Sequence, residues 1–230
     1  MKLIGLIGGM SWESTAQYYE IINTVIKEKL GGFHSAKVIM YSVDFHEIEE
    51  CQTKGEWDKA AVILSEAAVK LEKAGADFIV ICTNTMHKVA DEIQRHIGIP
   101  ILHIAEAAIW ELKNRGIEKV GLLGTKYTMR QDFYRSKFTE SGIEVIIPDD
   151  MDVEKVNSVI YGELCMGVVS DVSREAYLKI IDGLAARGAQ GVILGCTEIG
   201  MLVKQDDTRV PLFDTACIHA QKAALLSMEE

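Results

Sequence analysis

Short apolar runs alternate with longer amphipathic runs along most of the chain. The short runs are rich in β-branched residues, which favours strands, and the longer runs repeat apolar positions at helical spacing. Alternation of this kind predicts an α/β fold with mostly parallel sheets. The predicted strands are Leu3 to Ile7, Lys37 to Val43, Phe78 to Cys82, Ile99 to Ile104, Lys119 to Leu123, Glu144 to Ile147 and Gly191 to Leu194, and the predicted helices are 15–30, 57–74, 85–96, 105–115, 128–141, those within 153–187, and 217–227.

The second half of the chain repeats letters as well as pattern from the first half. Gly5-Leu6-Ile7-Gly8 recurs as Gly121-Leu122-Leu123-Gly124, and the segment 71–76 recurs at 184–189. We therefore predict two similar α/β halves, 1–98 and 99–212, with the C-terminal helix 213–230 returning to the first half.

The repeat brings two polar positions into register. Thr83 and Cys196 each lie eight residues after a repeated glycine, Gly75 or Gly188. Both residues end a predicted strand, and ligands of parallel α/β sheets bind beyond the carboxyl ends of strands. Thr83 and Cys196 are therefore candidate site residues.

Charge and length exclude several classes of function. The 230 residues carry 24 basic and 34 acidic side chains, a net charge of −10, so the chain offers no basic field for nucleic acid or an anionic membrane. No apolar stretch approaches the roughly 20 residues of a membrane span, and the chain starts in a predicted strand rather than in a signal peptide. We expect a cytoplasmic protein.

The five cysteines have neither the even number of a disulfide framework nor the CxxC spacing of a zinc site. We expect free thiols and no metal.

Glycines follow the first predicted strand in Gly5-Leu-Ile-Gly8-Gly9-Met10. The spacing is not GxGxxG and no acidic residue follows to bind a ribose, so a dinucleotide site is disfavoured. The glycines allow a tight turn into a helix. The turn also exposes backbone N–H groups of Met10 and Ser11, which could bind an anion.

Candidate polar side chains follow later strands. Asn84 and Thr85 could cap a helix or bind a carboxylate together with free N–H groups. Thr125 occupies the equivalent turn of the second half and has the same two possible roles. Cys196 is either an inert core cysteine or a thiol whose pKa is lowered by the start of a helix. Cys82 should point away from the site, because neighbouring side chains alternate along a strand.

Four motifs occur in order along nearly the whole chain: Gly8-Gly9-Met10-Ser11-Trp12-Glu13-Ser14-Thr15 with Tyr18-Tyr19, Thr83-Asn84-Thr85-Met86-His87, Leu123-Gly124-Thr125-Lys126-Tyr127-Thr128-Met129, and Gly195-Cys196-Thr197-Glu198. With them the chain resembles the aspartate/glutamate racemase family, whose amino-acid racemases need no pyridoxal phosphate. The resemblance implies two Rossmann-like domains related by a pseudo-twofold, an active site between them, no cofactor, and a homodimer.

The family's mechanism uses two cysteines on opposite sides of the substrate α-carbon, and this chain departs from it. The second cysteine matches Cys196, whereas the first falls on Thr83, with Cys82 one residue out of register. A threonine hydroxyl is too weakly acidic to form an alkoxide near neutral pH, so two-thiol chemistry is not expected.

Substrate-binding roles also carry over from the resemblance. They fall on Met10, Asn84, Thr85 and Thr197, with Gln52 added from the loop after the second strand and Thr125 as a further hydroxyl donor. For a distal carboxylate the cationic candidates are His46, Lys54 and Lys126.

The predicted function is therefore a cofactor-independent racemase of aspartate or glutamate, with Cys196 as thiolate base and Thr83 on the opposite face. We expect the L-enantiomer to be favoured, because L-Asp and L-Glu are the abundant cellular pools. The alternatives are a single-cysteine decarboxylase or isomerase of the same superfamily, and a non-catalytic amino-acid-binding protein.

Overall fold

The computed structural model describes residues 1–229. The chain divides into two compact units, the first formed by Met1–Ile104 with the segment from His219 onward, and the second by Ala105–Ile218. Each unit contains one parallel sheet of four strands. None of the helices within residues 1–229 is both long and apolar enough to cross a membrane.

In the first unit the strand order is β2-β1-β3-β4. The central strand β1 is buried along its whole length, as expected for a strand covered on both faces. The elements are β1 (Ile4–Gly8), α1 (Trp12–Leu30), β2 (Val38–Ser42), α2 (Phe45–Lys54), α3 (Trp57–Lys73), β3 (Phe78–Ile81), a 3-10 helix (Thr85–Val89), α4 (Ala90–Gln94) and β4 (Ile101–Leu102).

In the second unit the order β6-β5-β7-β8 repeats that of the first, strand for strand. Helix α11 starts in the second unit and ends in the first. The elements are α5 (Ile104–Asn114), β5 (Lys119–Gly124), α6 (Lys126–Arg130), α7 (Asp132–Glu140), β6 (Glu144–Ile146), α8 (Asp150–Gly162), a 3-10 helix (Leu164–Met166), α9 (Asp171–Ala186), β7 (Val192–Gly195), α10 (Ile199–Leu202), a 3-10 helix (Gln205–Asp207), β8 (Leu212–Asp214) and α11 (Thr215–Met228).

The recurrent glycines of the repeat have a packing role. A Cβ at Gly5 would lie 2.9 Å from Ile79 Cδ1, and a Cβ at Gly121 would lie 2.9 Å from Leu184 Cδ1. Both distances are shorter than van der Waals contact, so a larger residue would separate each central strand from the side chains packed on it. This shared packing requirement explains why glycine occurs at both positions, Gly5 and Gly121.

The predicted α/β class with parallel sheets is confirmed, but several element predictions are wrong. The segment 85–96, predicted as one helix, is a 3-10 helix followed by the short α4. The segment 128–141 contains two helices, α6 and α7, because Gln131 between them has an extended backbone. Gln52, predicted in a loop, lies on α2.

Candidate active site

The turn after β1 is held by its own polar groups. Gly9 has φ +94°, and a Cβ there would lie 2.2 Å from the Val43 carbonyl oxygen, so only glycine fits. The Gly9 N–H donates to Thr15 Oγ1 at 2.9 Å. Ser11 caps α1, its Oγ accepting from the Ser14 N–H at 3.3 Å. The predicted tight turn is therefore present, with Met10 buried beside it.

The loop after β3 holds Thr83, Asn84 and Thr85. Thr83 is half-buried, whereas Asn84 and Thr85 are buried. Asn84 precedes the 3-10 helix with helical backbone angles, and its side chain makes no capping hydrogen bond. The capping role considered for Asn84 is therefore wrong.

The side chain of His87 holds this loop through two hydrogen bonds of its ring. Its Nδ1–H donates to the Thr83 carbonyl oxygen at 2.7 Å, and its Nε2 accepts from the Ile104 N–H at 3.2 Å. Only 4% of His87 is exposed. The position of the Thr83 carbonyl is therefore set by a buried imidazole.

Gln52 approaches the same loop from α2. Its side-chain amide donates to Met86 Sδ at 3.1 Å, and Gln52 is buried. Helix α2 thus brings a polar side chain to the 3-10 helix that begins at Thr85. The loop position predicted for Gln52 is wrong, because the chain after β2 forms α2 over Phe45–Lys54.

In the second unit, Thr125 caps α6. Its Oγ1 accepts from the Thr128 N–H at 3.3 Å and lies 3.2 Å from Thr128 Oγ1. Of the two roles considered for Thr125, the capping role is present.

Cys196 follows β7, at the position in the second sheet that Thr83 has after β3 in the first. It is buried, and its Sγ–H donates to Glu198 Oε2 at 2.9 Å. The Thr197 hydroxyl donates to the same oxygen at 2.8 Å. Thr197 and Glu198 are buried as well, so the thiol and the carboxylate form a pair shielded from bulk water.

The pKa of the Cys196 thiol is raised well above its ordinary value, chiefly by burial and then by the negative charge of Glu198. Of the two alternatives considered for Cys196, the lowered pKa is therefore wrong. Helix α10 has four residues and begins at Ile199, so its dipole is weak compared with the cost of burying a thiolate. Ionisation of Cys196 therefore needs a local proton acceptor.

The sequence profile of the family described as Asp/Glu/Hydantoin racemase matches residues 7–223. The chain belongs to the Asp/Glu/Hydantoin racemase family. The resemblance inferred from the motifs is thus confirmed, and the protein is an isomerase of the amino-acid racemase type.

Three relatives show how far the family likeness extends. A Yersinia pestis protein, provisionally assigned as an Asp/Glu racemase, is 58% identical with a TM-score of 0.93, and each chain is covered completely. An aspartate racemase homologue from Pyrococcus horikoshii is 40% identical with a TM-score of 0.86, also with complete coverage of both chains. The broad specificity amino-acid racemase RacX of Bacillus subtilis is 27% identical, over 94% of each chain.

In this racemase Cys82, which precedes Thr83 in the sequence, is a core residue. Cys82 is fully buried, its Sγ lies 3.9 Å from the Val80 carbonyl oxygen, and burial raises its pKa. Its side chain thus belongs to the interior of the first unit.

Two of the cationic candidates for a distal carboxylate are already paired. Lys54 forms an ion pair with Glu50 at 3.3 Å, and Lys126 forms one with Glu154. His46 is exposed near the start of α2.

Two residues that contact the candidate site residues had no predicted role. Glu198 was named only within a motif, although the Cys-x-Glu spacing places an acid two residues from the thiol. His87 was likewise named only within a motif. Its separation of four residues from Thr83 was the available signal, since a single helical turn brings such residues together.

Proposed function

We propose that this racemase interconverts the L- and D-enantiomers of an acidic amino acid, aspartate or glutamate, without pyridoxal phosphate or a metal. The observation that carries the proposal is the buried hydrogen bond from Cys196 Sγ to Glu198 Oε2. A thiol beside a carboxylate can lose its proton locally, and the thiolate so formed is a competent base. The names of the relatives supply the substrate class.

In the proposed mechanism the Cys196 proton first passes to Glu198. The thiolate then removes the substrate α-proton, so that the Cα–H bond breaks and an S–H bond forms. The α-carbon keeps the electron pair, which the substrate carboxylate helps to delocalise. A water on the Thr83 side delivers the proton that completes the inversion, because the Thr83 hydroxyl is too weakly acidic to be left as an alkoxide. Glu198 then returns its proton to solvent, which neutralises the hydroxide left on the Thr83 side.

Binding of the α-carboxylate falls to the polar groups at the strand ends. In the first unit we propose the Met10 turn with Asn84 and Thr85, and Gln52 from α2. Asn84 and Thr85 are both buried in the loop that follows β3. Thr197 and Thr125 are the proposed contributors of the second unit. We also propose that the protein is a cytoplasmic homodimer.

One thiol instead of two makes the faces of the substrate unequal. Enantiomers in water have equal free energy, so kcat/KM must be equal in both directions. The asymmetry can appear only in exchange: the enantiomer whose α-proton faces Cys196 can lose it and regain a solvent proton on the same face. We propose that this enantiomer is L, so that exchange with retention exceeds inversion for L and not for D.

The test incubates the protein with each pure enantiomer of Asp and Glu in D₂O. Proton NMR follows loss of the α-proton, and chiral chromatography of the same samples follows inversion. We expect both, with excess exchange for the L-enantiomer. Release of CO₂ would favour a decarboxylase instead, and binding without exchange would favour a non-catalytic binding protein.

The Thr83→Cys variant tests the role of the opposite face. A second thiol there should raise exchange from the slow enantiomer and bring the two exchange-to-inversion ratios together. Equal ratios in the unmodified protein would show that the Thr83 side already serves as well as a cysteine.

A further inference from the structure

Three histidines pack together in the interior of the first unit. The rings of His87 and His103 lie 4.5 Å apart between centroids, and those of His87 and His219 lie 5.7 Å apart. All three side chains are buried.

The hydrogen bonds of His87 determine its tautomer. A backbone carbonyl can only accept, so the nitrogen facing the Thr83 oxygen carries the proton. A backbone N–H can only donate, so the nitrogen facing Ile104 carries the lone pair. His87 is therefore the neutral Nδ1–H tautomer.

His219 has the opposite tautomer. Its Nε2 lies 2.8 Å from the Leu102 carbonyl oxygen and must donate to it, and its Nδ1 accepts from the Tyr18 hydroxyl at 2.9 Å. Burial lowers the pKa of His219 to about 4, so it too is neutral at physiological pH. Each imidazole is thus held by a different pair of groups.

The backbone partners of these imidazoles lie where the chain changes unit. Leu102 ends β4, and Ile104 is the last residue of the first unit before the chain enters the second. His219 is the first residue after the chain returns. His87 therefore anchors the Thr83 loop to the segment 102–104, which His219 fixes in turn.

We propose that His87 is a positioning residue for the Thr83 face of the site. By donating Nδ1–H to the Thr83 carbonyl oxygen, and by being oriented through Ile104, it fixes the backbone that aims the Thr83 side chain. The inference rests on the proposed function, since it concerns one of the two faces of the substrate. A displacement of about 1 Å at such a group can cost about 100-fold in rate.

Two variants separate the two hydrogen bonds. His87→Asn keeps a donor near the position of Nδ1, whereas His87→Gln places its polar atoms near that of Nε2 and loses the bond to Thr83. His96→Gln is the matched control, because His96 is an exposed histidine of the same unit.

We expect His87→Gln to lower inversion, and exchange from the Thr83-facing enantiomer, by about 100-fold. Exchange with retention from the Cys196-facing enantiomer should stay within about 2-fold, because that face does not use Thr83. His87→Asn should lose about 10-fold or less, and His96→Gln nothing. A merely structural role would lower exchange from both enantiomers together, and that result would overturn the proposal, as would a His87→Asn variant as poor as His87→Gln.

The tautomers can be measured in the unmodified protein by two-bond ¹⁵N–¹H correlation spectra of its histidines. We expect an Nδ1–H signal for His87 and an Nε2–H signal for His219; an Nε2–H tautomer at His87 would overturn the anchoring contact. If the unmodified protein exchanges no α-proton at all, the proposed racemase function fails, whereas the His87 spectrum still decides whether this residue holds the Thr83 carbonyl.

Discussion

A thiol that donates a hydrogen bond to a carboxylate in a buried site keeps its proton more firmly than an exposed thiol does. Putting a second negative charge on Cys196 Sγ beside Glu198 Oε2 is costly, because little solvent screens the pair. Burial and the neighbouring carboxylate thus both oppose the thiolate form of Cys196. In the proposed mechanism Glu198 must therefore take the proton before Cys196 can act as a base.

Replacing Cys196 with serine should abolish turnover and leave binding nearly intact. A serine hydroxyl does not ionise at neutral pH even beside a carboxylate, so we expect kcat to fall at least about 1000-fold. Calorimetry with the substrate should show an affinity within about 3-fold of the unmodified protein. Cys82→Ser is the control. If that variant were the inactive one, the register of the first unit would be wrong.

Replacing Glu198 with glutamine should change the pH dependence as well as the rate. At neutral pH we expect kcat to fall about 100-fold, because the local proton acceptor is lost. The same change removes the charge that raises the pKa of Cys196, so activity should recover as the solution becomes alkaline. Glu144→Gln, at a surface ion pair with Lys119, is the control. Rate profiles of equal shape for the Glu198 variant and the unmodified protein would contradict the pairing.

At the scale of elements, the sharp turn between β1 and α1 constrains the site most strongly. Gly9→Ala must place a methyl group 2.2 Å from the Val43 carbonyl oxygen at φ +94°. Backbone atoms cannot move aside as a flexible side chain can, so we expect a loss of about 3 kcal/mol or more in the free energy of unfolding.

Gly55→Ala is the matched control for that loss. Gly55 also has positive φ, +72°, but a Cβ there would meet nothing within 4 Å. Its cost should be about 1 kcal/mol, from the backbone conformation alone. Urea unfolding of both variants gives the comparison. Equal losses would show that the close approach at Gly9 is relieved elsewhere.

The sequence predicted the long helices because one-sided burial imposes a helical period on them, as in α3. It could not predict short elements whose form depends on tertiary contacts. The strand predicted at 99–104 pairs only over Ile101–Leu102, since the following residues turn away to bond with His87. Strand β8 has three residues, too few to show a period.

In the candidate site, too, the sequence pattern predicted some features, whereas others depend on tertiary contacts. Thr83 and Cys196 were identified because an internal repeat aligns the ends of two strands. That repeat can be read directly from the amino-acid sequence. The bond from Cys196 to Glu198 depends on the path of the backbone after β7, which no spacing rule specifies. The sequence left the direction of the Cys196 pKa shift open for this reason, because the burial of its thiol could not be known.

At the scale of the whole molecule, the buried His219 makes stability depend on pH. Its pKa is about 4 in the folded protein, against 6.5 as the ordinary value, so between these pH values the unfolded chain binds a proton that the folded one does not. The free energy of unfolding should therefore fall as the pH drops through this window, by up to about 3 kcal/mol.

Chemical unfolding at a series of pH values measures this slope. His219→Gln should be less stable at neutral pH and should lose most of the slope. The exposed His34→Gln should retain it. If the free energy of unfolding of the His219 variant depends on pH as strongly as that of the unmodified protein, groups other than His219 cause the dependence.

The division of the first unit into two separate stretches of chain also orders events during synthesis. The second unit, Ala105–Ile218, is continuous and has all its strands before residue 219 is added. Several contacts of the first unit form only after the segment from His219 onward is made. They include the Tyr18–His219 and His219–Leu102 hydrogen bonds and the bond from the Lys2 N–H to the Ser227 carbonyl. The part of the protein made first is thus the last to complete its bonding, and the nascent chain carries an unfinished domain through most of translation.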